Sequence, residues 1–270
     1  MGTSLQITDH WLTGDSIQHL DTPNKEGIIS PRFCVLHFTA GSSAESSVAH
    51  FQRAKAKASA HLVIGRDGRI WQLVPFNRKA WHAGVSAWAG LEGLNSHSLG
   101  IELDNAGRLK KMGDQYQAWF GKLYPENEVI RACHKHELEE SFWHAYTETQ
   151  IAVALEVATL VTAHYGLEDI LGHEDIAPQR KCDPGPAFPM ASFKGAILGR
   201  SNDVAARYRV NVSKLNIRSG PGTQFPPLCE PLPLGTALSL TEMGTEWARV
   251  MANGPSRVEG WVCNRYIVQA

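Results

Sequence analysis

The pattern of apolar residues changes near residue 203, and this change divides the chain into two parts of different fold class. Before it, compact apolar runs typical of buried strands alternate with segments whose apolar residues recur at helical spacing. After it, short β-rich runs alternate with Gly, Pro and Asn turns, and the helical spacing is lost. The sequence therefore predicts an α/β domain over residues 1–202 and a small all-β barrel over residues 203–270.

Three segments of the first part are predicted to be β-structure. Phe33–Phe38 is a short apolar run that suits a buried strand, and Ser98–Leu103 alternates like another. His61–Val74 contains two β-rich runs around an Asp-Gly pair, which predicts a hairpin. Residues 1–30 are polar and broken by Gly and Pro, so we predict a loop with one short strand there. Residues 105–140 are predicted to form a polar insertion with mixed charges.

Two helices are predicted from capping boxes, in which a Ser or Thr precedes a Glu or Gln by three residues. The boxes are Ser42 with Glu45 and Thr147 with Gln150. The first helix is predicted to end near Lys55. The second has apolar residues at helical spacing and ends at Gly166, a residue type typical of helix C-termini.

The charge balance argues against some classes of partner. The chain has 26 Lys and Arg against 27 Asp and Glu, so its net charge of −1 gives no overall field for nucleic acid or an anionic membrane. No apolar run approaches the roughly 20 residues that a membrane-spanning helix needs. The start lacks the order of a secretion signal, which predicts a cytoplasmic location as the sequence stands, or a periplasmic or secreted one after removal of a signal or by signal-independent export. The oligomeric state is not predicted.

Two histidines and one aspartate have the chemistry of a metal site. His37 and His173 each end an apolar run, and Asp183 lies ten residues beyond His173. Two imidazoles and a carboxylate are a ligand set of zinc hydrolases, with a fourth position open for water. Glu102, in the apolar run GIEL, is a candidate base, and Lys181 is a candidate partner for an oxyanion. Spacing alone leaves structural histidines and an ion-paired glutamate as alternatives.

The five cysteines are widely spaced and contain no CxxC, which argues against a disulfide framework and a thiolate zinc site. Four ordered stretches carry a more specific signal: VLHFTA, SAHLVIGRDGRIWQLVPFNRKAWHAGVSAWAG, SLGIELDN and LGHEDIAPQRKCDPGPAF. Together they resemble the zinc-dependent N-acetylmuramoyl-L-alanine amidases of the type-2 amidase family, over about residues 30–195. That family includes phage lysozymes of the amidase type and is akin to animal peptidoglycan recognition proteins.

The resemblance implies a fold, a cofactor and a reaction. The fold is a mixed central β-sheet flanked by helices. One Zn²⁺ per chain is expected on His37, His173 and Asp183, with Glu102 and Lys181 as catalytic residues. The reaction is hydrolysis of the amide between the lactyl group of N-acetylmuramic acid and L-alanine, in peptidoglycan or in muropeptides. The stretch AWHAGVS is similar to the recycling amidase that prefers 1,6-anhydro-muropeptides, so soluble fragments and polymeric wall both stay open as substrates.

Further histidines and one cysteine lie near these motifs. His61, Trp81 and His82 are candidate substrate-binding residues, with support of the zinc ligands or ordinary packing as alternatives. Cys182 adjoins Asp183, and some phage relatives use a cysteine ligand, but the pattern K-x-D-P-G favours Asp183. Three insertion histidines, His134, His136 and His144, are not expected to hold a second metal, since residues two apart on a helix do not share a face.

The C-terminal part resembles a bacterial SH3-type domain through the motif LNIRSGPG at residues 215–222. Such domains attach to cell-wall peptides, and a passive structural role is the alternative. For the whole chain, a non-catalytic peptidoglycan-binding protein is the competing function. The same amidase chemistry in a phage endolysin or an exported antibacterial toxin is a third alternative.

Overall fold

A computed structural model describes residues 5–137, 139–198, 207–252 and 258–269 of the 270. The chain divides into two compact units, Met1–Phe193 and Lys194–Ala270. The predicted domain boundary at residues 202 and 203 falls outside the described residues. Among the residues described, none of the helices is long and apolar enough to cross a membrane.

The first unit combines short strands with a few helices. Its strands are β1 Gln6–Thr8, β2 Trp11–Thr13, β3 Ile17–His19, β4 Lys25–Ile28, β5 Phe33–Phe38, β6 Leu62–Ile64, β7 Ile70–Gln72, β8 Arg78–Ala80, β9 Ala87–Trp88, β10 Leu91–Glu92, β11 Ser98–Leu103, β12 Arg108–Met112, β13 Gln115–Gln117, β14 Leu123–Tyr124, β15 Val129–Cys133, β16 Glu140–His144 and β17 Asp169–Gly172. Its helices are α1 Ala44–Phe51, α2 Glu148–Tyr165 and α3 His173–Ile176, and α4 Met190–Leu198 runs across the division between the units.

A mixed six-stranded sheet forms the centre of the first unit, in the order β17-β5-β11-β6-β7-β3. Strands β17, β5 and β11 are parallel neighbours, and β6 and β7 form the predicted antiparallel hairpin. Strands β5 and β11 have the bounds predicted from the sequence, and all but one of their residues are buried. The prediction for the N-terminal residues was wrong, because four short strands, β1 to β4, lie there.

The caps at the starts of helices α1 and α2 differ in detail from the predicted capping boxes. Helix α1 is capped one residue later, by Ser43 with Ser46, and it ends at Phe51. Thr147 caps α2 by accepting a hydrogen bond from the Gln150 N–H, as predicted. The side chain of Gln150 does not complete the box. It donates instead to the carbonyl oxygens of Ile64 and Asp104 at the edge of the central sheet. Helix α2 is thereby fixed to the sheet, and it ends at Gly166 as expected, with a φ of 64°.

The polar insertion forms a second β-sheet, in the order β14-β13-β12-β16-β15. A small apolar core holds it together, made of Ala106, Leu109, Tyr116, Ala118 and Tyr124. Next to this sheet, Gly107 lies against the central sheet, since a Cβ there would lie 2.7 Å from the Phe38 ring at the end of β5. The insertion is therefore attached at the end of the strand that carries His37.

The second unit, taken by itself, is all-β in the residues described beyond α4. Its strands are β18 Arg207–Val210, β19 Lys214–Leu215, β20 Leu232–Pro233, β21 Ala237–Met243, β22 Trp247–Ala252, β23 Val258–Cys263 and β24 Ile267–Gln269. Five of them form one antiparallel sheet in the order β23-β22-β21-β18-β24. A core that includes Ile217, Leu238, Val250 and Val262 holds the unit together. The predicted all-β class is confirmed, and the SH3-type assignment stays a prediction.

Candidate active site

The predicted catalytic residues lie at the carboxyl ends of three parallel strands. His37 is in β5, Glu102 is its register partner in β11, and His173 directly follows β17 on the other side of β5. Side chains of register partners point to the same face of a sheet. Ligand sites in open α/β sheets are typically at such strand ends. The order of the central sheet therefore brings together residues that are 65 to 136 positions apart in the sequence.

Three donor atoms face one another at this edge. His37 Nδ1 lies 2.9 Å from His173 Nδ1 and 3.0 Å from Asp183 Oδ2, and His173 Nδ1 lies 3.0 Å from the same Asp183 oxygen. All three side chains are buried. The loop that carries Asp183 is fixed by a hydrogen bond from the Glu174 N–H to the Asp183 carbonyl oxygen at 2.9 Å.

The outer nitrogens of the two histidines determine their protonation. His173 Nε2–H donates to the Ala83 carbonyl oxygen at 3.1 Å. His37 Nε2 lies 3.0 Å from His82 Nδ1, and His82 Nε2 in turn faces the Ser98 carbonyl oxygen at 3.4 Å. A carbonyl only accepts, so His82 donates through Nε2 and accepts from His37 Nε2–H through Nδ1. Both Nδ1 atoms of His37 and His173 therefore carry free lone pairs.

Three lone pairs that face each other repel, and a cation between them would remove this repulsion. Burial and the neighbouring His173 imidazole lower the pKa of His37 to about 4, so this ligand is neutral at physiological pH. Burial alone would raise the pKa of Asp183, but the adjacent imidazoles of His173 and His37 hold it well below its usual value. Tetrahedral zinc ligands at about 2.0–2.1 Å lie roughly 3.3 Å from one another, close to the separations here. The donor set thus fits Zn²⁺, and it is the only such group among the residues that the structure describes.

Glu102 is the second unusual group of the site. Its side chain is almost fully buried, and its Oε2 has no hydrogen-bond partner among the described residues. Burial, reinforced by the negative charge of Asp183, raises the pKa of Glu102 well above its ordinary value. A buried, unpaired carboxyl group costs stability, and such groups cluster at catalytic sites because they can exchange protons near neutral pH.

A pocket of about 540 Å³ opens above the donors. The predicted residues that line it are His37, Trp81, His82, Glu102, Lys181, His173 and Asp183. Lys181 is held in place through its backbone N–H, which donates to the Ala177 carbonyl oxygen. Its positive charge reaches the site, where it acts against the raised pKa of Glu102. The pocket therefore contains a metal-ligand set, a buried carboxyl group and an ammonium group together.

His61 lies outside the lining of this pocket. Its Nδ1 accepts a hydrogen bond from the Gly100 N–H and its Nε2–H donates to the Arg78 carbonyl oxygen, both at 2.9 Å. It is fully buried, and burial lowers its pKa to about 4. The structure thus gives His61 a place in the sheet next to His82, with both nitrogens occupied.

The insertion histidines do not lie on a helix. The argument from helix geometry against a second metal there was therefore wrong. Residues 134–137 form a turn closed by a hydrogen bond from the Glu137 N–H to the His134 carbonyl oxygen. His134 Nε2 pairs with Glu174 Oε2 at 2.7 Å, and His136 Nε2–H donates to the Glu174 carbonyl oxygen at 3.2 Å. His134 and His136 therefore brace the residue that follows the ligand His173.

Two functional features were missed at the level of sequence. Glu174 accepts from the Gly185 N–H at 3.2 Å, so it links the insertion to the Asp183 loop. Trp119, in the insertion, lines the pocket although it lies 82 positions from His37. A signal for Glu174 was present, since GHED places an acidic residue beside a ligand. Nothing in the local pattern around Trp119 indicated its position.

The comparison with known families agrees with this geometry. A family model described as N-acetylmuramoyl-L-alanine amidase matches residues 29–186, which is more than half of the chain. The chain belongs to this amidase family. All of the central strands from β5 to β17 and the three donor residues lie within the matched range. The predicted family membership is confirmed.

Relatives with assigned names include two amidases of Escherichia coli strain K12. N-acetylmuramoyl-L-alanine amidase AmiD is 36% identical over 181 residues, covering 63% of this chain and 55% of AmiD. 1,6-anhydro-N-acetylmuramyl-L-alanine amidase AmpD is 38% identical over 141 residues, covering 52% of this chain and 59% of AmpD. The crystal structure of a selenomethionine derivative of AmpD has a TM-score of 0.51 and 26% identity, over 71% of this chain and 99% of that one.

The chain spans little more than half the length of the two curated relatives, AmiD and AmpD. The match to the family model lies within the first unit, since it ends at residue 186. Membership of the family therefore applies to the first unit, and the roles of single residues and of the second unit are taken up below as proposals.

Proposed function

We propose that the protein is a zinc-dependent amidase that hydrolyses the bond between the lactyl group of N-acetylmuramic acid and L-alanine. The observation that carries the proposal is the triangle of buried lone pairs on His37, His173 and Asp183, beside the unpartnered carboxyl of Glu102. A member of an amidase family with this donor set has the groups that hydrolysis of an amide needs.

Each residue has a defined task in this reaction. His37, His173 and Asp183 would hold the zinc ion, which supplies Lewis acidity and favours deprotonation of water at neutral pH. Glu102 takes the proton of the attacking water and then transfers it to the nitrogen of the leaving L-alanine. Lys181 places a positive charge near the oxygen that becomes negative when the carbonyl carbon is attacked. Burial of the site strengthens both electrostatic contacts.

The substrates we propose are muropeptides, including the 1,6-anhydro form, and peptidoglycan. The name of the relative AmpD specifies a 1,6-anhydro-N-acetylmuramyl-L-alanine amidase, and that of AmiD specifies an N-acetylmuramoyl-L-alanine amidase. A pocket of about 540 Å³ is of the size that small-molecule sites have. It suits the sugar and the first residues of the peptide of a soluble fragment. Peptidoglycan is a bacterial polymer, so a bacterial source and action in the cytoplasm or beyond it are part of the proposal.

We propose in addition that the second unit is an SH3-type domain that attaches to wall peptide. Two neighbouring grooves of about 600 and 420 Å³ share Trp247, Thr223 and Cys263. Arg218 and Lys214 line the smaller groove, and cationic side chains there would match the carboxylates of a stem peptide. A test is cosedimentation of the full chain with purified cell wall, compared between the native protein and Trp247→Ala. Equal sedimentation of both would contradict this role for the groove.

Amide hydrolysis is tested by supplying N-acetylmuramoyl-L-alanyl-D-isoglutamine and measuring the free amino group of alanine. We expect release by the zinc-loaded protein, loss of release after chelation, and recovery when zinc is returned. The variant His173→Ala should bind no stoichiometric zinc and release no peptide. Stoichiometric zinc without peptide release from any muropeptide would favour the alternative, a peptidoglycan-binding protein without catalysis.

The choice among biological roles is tested with two substrates in parallel. Turnover of a soluble 1,6-anhydro-muropeptide is compared with release of peptide from intact wall at equal enzyme concentration. Preference for the soluble fragment by at least tenfold would support a recycling role. The opposite preference would support a lytic one, as in a phage endolysin or an exported antibacterial toxin, and cell fractionation would then show in which compartment the protein acts.

A further inference from the structure

The insertion places an exposed tryptophan at the rim of the catalytic pocket. Trp119 and Phe120 occupy the turn between β13 and β14, and both line the pocket above the donor atoms. The Trp119 side chain is 78% exposed, although large apolar side chains are usually covered. An exposed indole beside a concave site indicates contact with a ligand.

The position of this indole is fixed from two sides. Its Nε1–H donates to the Ala40 carbonyl oxygen at 2.7 Å, in the loop that directly follows β5 and His37. The turn that carries it is closed by hydrogen bonds from the Ala118 N–H to the Lys122 carbonyl oxygen and from the Gly121 N–H to the Ala118 carbonyl oxygen. Ala118 itself is buried in the core of the insertion. The indole is therefore held at the rim before any substrate binds.

The chemistry of this rim suits a sugar ring better than a peptide. The only polar atom of the indole is already bonded to Ala40, so its faces offer only apolar contact. Phe120 meets it edge to face, with ring centroids 5.7 Å apart. A pyranose presents a face of C–H groups that packs on such a surface, whereas the stem peptide carries carboxylates that need cations. The cation Lys181 lies with the catalytic residues, in the same lining as Glu102 and Asp183.

We propose that Trp119 is a specificity-determining residue that packs against the N-acetylmuramoyl ring of the substrate. The inference rests on the proposed amidase function and adds to it a sugar subsite built from the insertion. In this arrangement the sugar lies on the indole while the lactyl carbonyl extends from the ring toward Glu102. The insertion would then make cleavage depend on the sugar and not on the amide alone.

A pair of substrates separates sugar recognition from cleavage of the amide. One is N-acetylmuramoyl-L-alanyl-D-isoglutamine, and the other is (R)-lactoyl-L-alanyl-D-isoglutamine, which keeps the reacting amide but has no ring. For Trp119→Ala we expect kcat/KM on the muramoyl substrate to fall by about tenfold to a hundredfold, as loss of a stacking contact does. The value on the lactoyl substrate should stay within about twofold of native. Trp119→Phe, which keeps an aromatic face, should lose less than Trp119→Ala.

Leu123→Ala is the matched control, since Leu123 is exposed on the same hairpin and does not line the pocket. It should leave both substrates unaffected. An equal loss on both substrates in Trp119→Ala would overturn the proposal, because Trp119 would then shape the reacting centre or hold the peptide. No loss on either would overturn it as well.

A binding measurement keeps this inference separate from the amidase function. Indole fluorescence is titrated with the methyl glycoside of N-acetylmuramic acid, which has no amide to the peptide. We expect saturable quenching in the native chain and in Leu123→Ala, and its loss in Trp119→Ala. If the native chain cleaves neither substrate, the proposed function fails while this titration still decides the sugar subsite. Quenching that is the same in Trp119→Ala would overturn the subsite.

Discussion

The floor and the rim of the pocket are built in opposite ways. At the floor, each imidazole has its second nitrogen fixed, His37 by His82 and His173 by the Ala83 carbonyl oxygen. At the rim, the indole of Trp119 donates one hydrogen bond to the loop that follows β5, and the residue lies largely in solvent. The floor lies in and directly after strands of the central sheet and in the Asp183 loop, and the rim lies in a turn of the inserted sheet. A site of this kind can keep its reaction while the residues around the substrate differ.

Within the floor, Glu102 differs from the three metal-ligand candidates. The donor atoms of those residues lie within 3.0 Å of one another, whereas Oε2 of Glu102 is buried without a hydrogen-bond partner among the residues described. A buried polar atom without a partner costs about 1–3 kcal/mol. Proteins keep such groups where the chemistry needs them. The contrast matches the proposed roles, in which the three clustered residues bind the metal and Glu102 transfers the proton.

The largest effect is expected from Glu102→Gln, which removes the carboxyl group and keeps its shape. Turnover should fall by roughly a hundredfold to ten-thousandfold, the range in which general bases contribute. Zinc content should not change, because the three donors are untouched. Amide cleavage and metal analysis are measured on the same preparation, with Glu126→Gln, an exposed glutamate of the insertion, as the control. Native turnover in Glu102→Gln would contradict the role of Glu102 as the base. Loss of zinc in this variant would contradict its separation from the metal ligands.

The difference between floor and rim also explains what the sequence could predict. His37, Glu102 and His173 lie in or directly after apolar runs whose strand character is visible locally. Their meeting follows from parallel pairing of β5 with β11 and β17, whereas the family resemblance implied only a mixed central sheet. The strands of the insertion are short and mostly polar on one side, so their local pattern is that of a loop.

Long-range hydrogen bonds are the part that local patterns do not contain. The bond from Trp119 to Ala40 joins residues 79 positions apart, and nothing near either residue indicates it. Gln150 shows the same limit in a different way. Its spacing from Thr147 is that of a capping box, yet its amide donates to the carbonyl oxygens of Ile64 and Asp104, where β6 and β11 end. Tertiary partners thus outweighed a local preference worth about 1 kcal/mol.

The hydrogen bond that His82 accepts from His37 is tested next with Gly100→Ala. A Cβ at this position would lie 2.4 Å from the His82 ring, so the ring must move. His37 Nε2–H then loses its acceptor, and zinc affinity should fall by about tenfold to a hundredfold, as it does when groups that orient metal ligands are removed. Competition with a chelator of known affinity measures the change.

Gly113→Ala is the control for Gly100→Ala. Its φ of 62° also disfavours a side chain, but a Cβ there meets nothing within 4 Å. It should cost some stability and leave zinc affinity at the native value. If Gly100→Ala binds zinc as tightly as the native chain, the bond between His37 and His82 does not orient the ligand, and floor and rim are less different than the structure indicates.

The pH dependence of stability tests the buried imidazole of His61. Its pKa is lowered to about 4 in the folded protein, against about 6.5 in an unfolded chain. Between these values the unfolded chain binds a proton that the folded one does not, so stability falls as the pH falls from 6.5 to 4. For this residue the slope is up to about 1.4 kcal/mol per pH unit. His61→Gln should therefore unfold with a shallower pH dependence in zinc-free protein.

Urea unfolding at a series of pH values measures this slope. Val63→Ala serves as the control, because Val63 is buried in β6, two residues after His61, and carries no titratable proton. It should lower stability by about 1–3 kcal/mol at every pH and leave the slope unchanged. An unchanged slope in His61→Gln would mean that burial does not keep this histidine neutral in the folded protein.

The smallest effect is expected from Lys135→Met, which tests the link between the insertion and the floor. Lys135 Nζ donates to Glu174 Oε1 at 2.9 Å and to Asp175 Oδ1 at 2.5 Å, and Glu174 is buried next to the ligand His173. Lys135 is partly exposed, so solvent screens the pair, and the loss should be about 1 kcal/mol of unfolding free energy, smaller in high salt. Lys110→Met, in the exposed part of β12, should change nothing.

The contact of Lys135 with Glu174 and Asp175 lies on the donor side of the pocket. Lys135→Met should therefore weaken zinc binding by a few fold without altering the ratio of muramoyl to lactoyl turnover. A change in that ratio would show that floor and rim act as one unit.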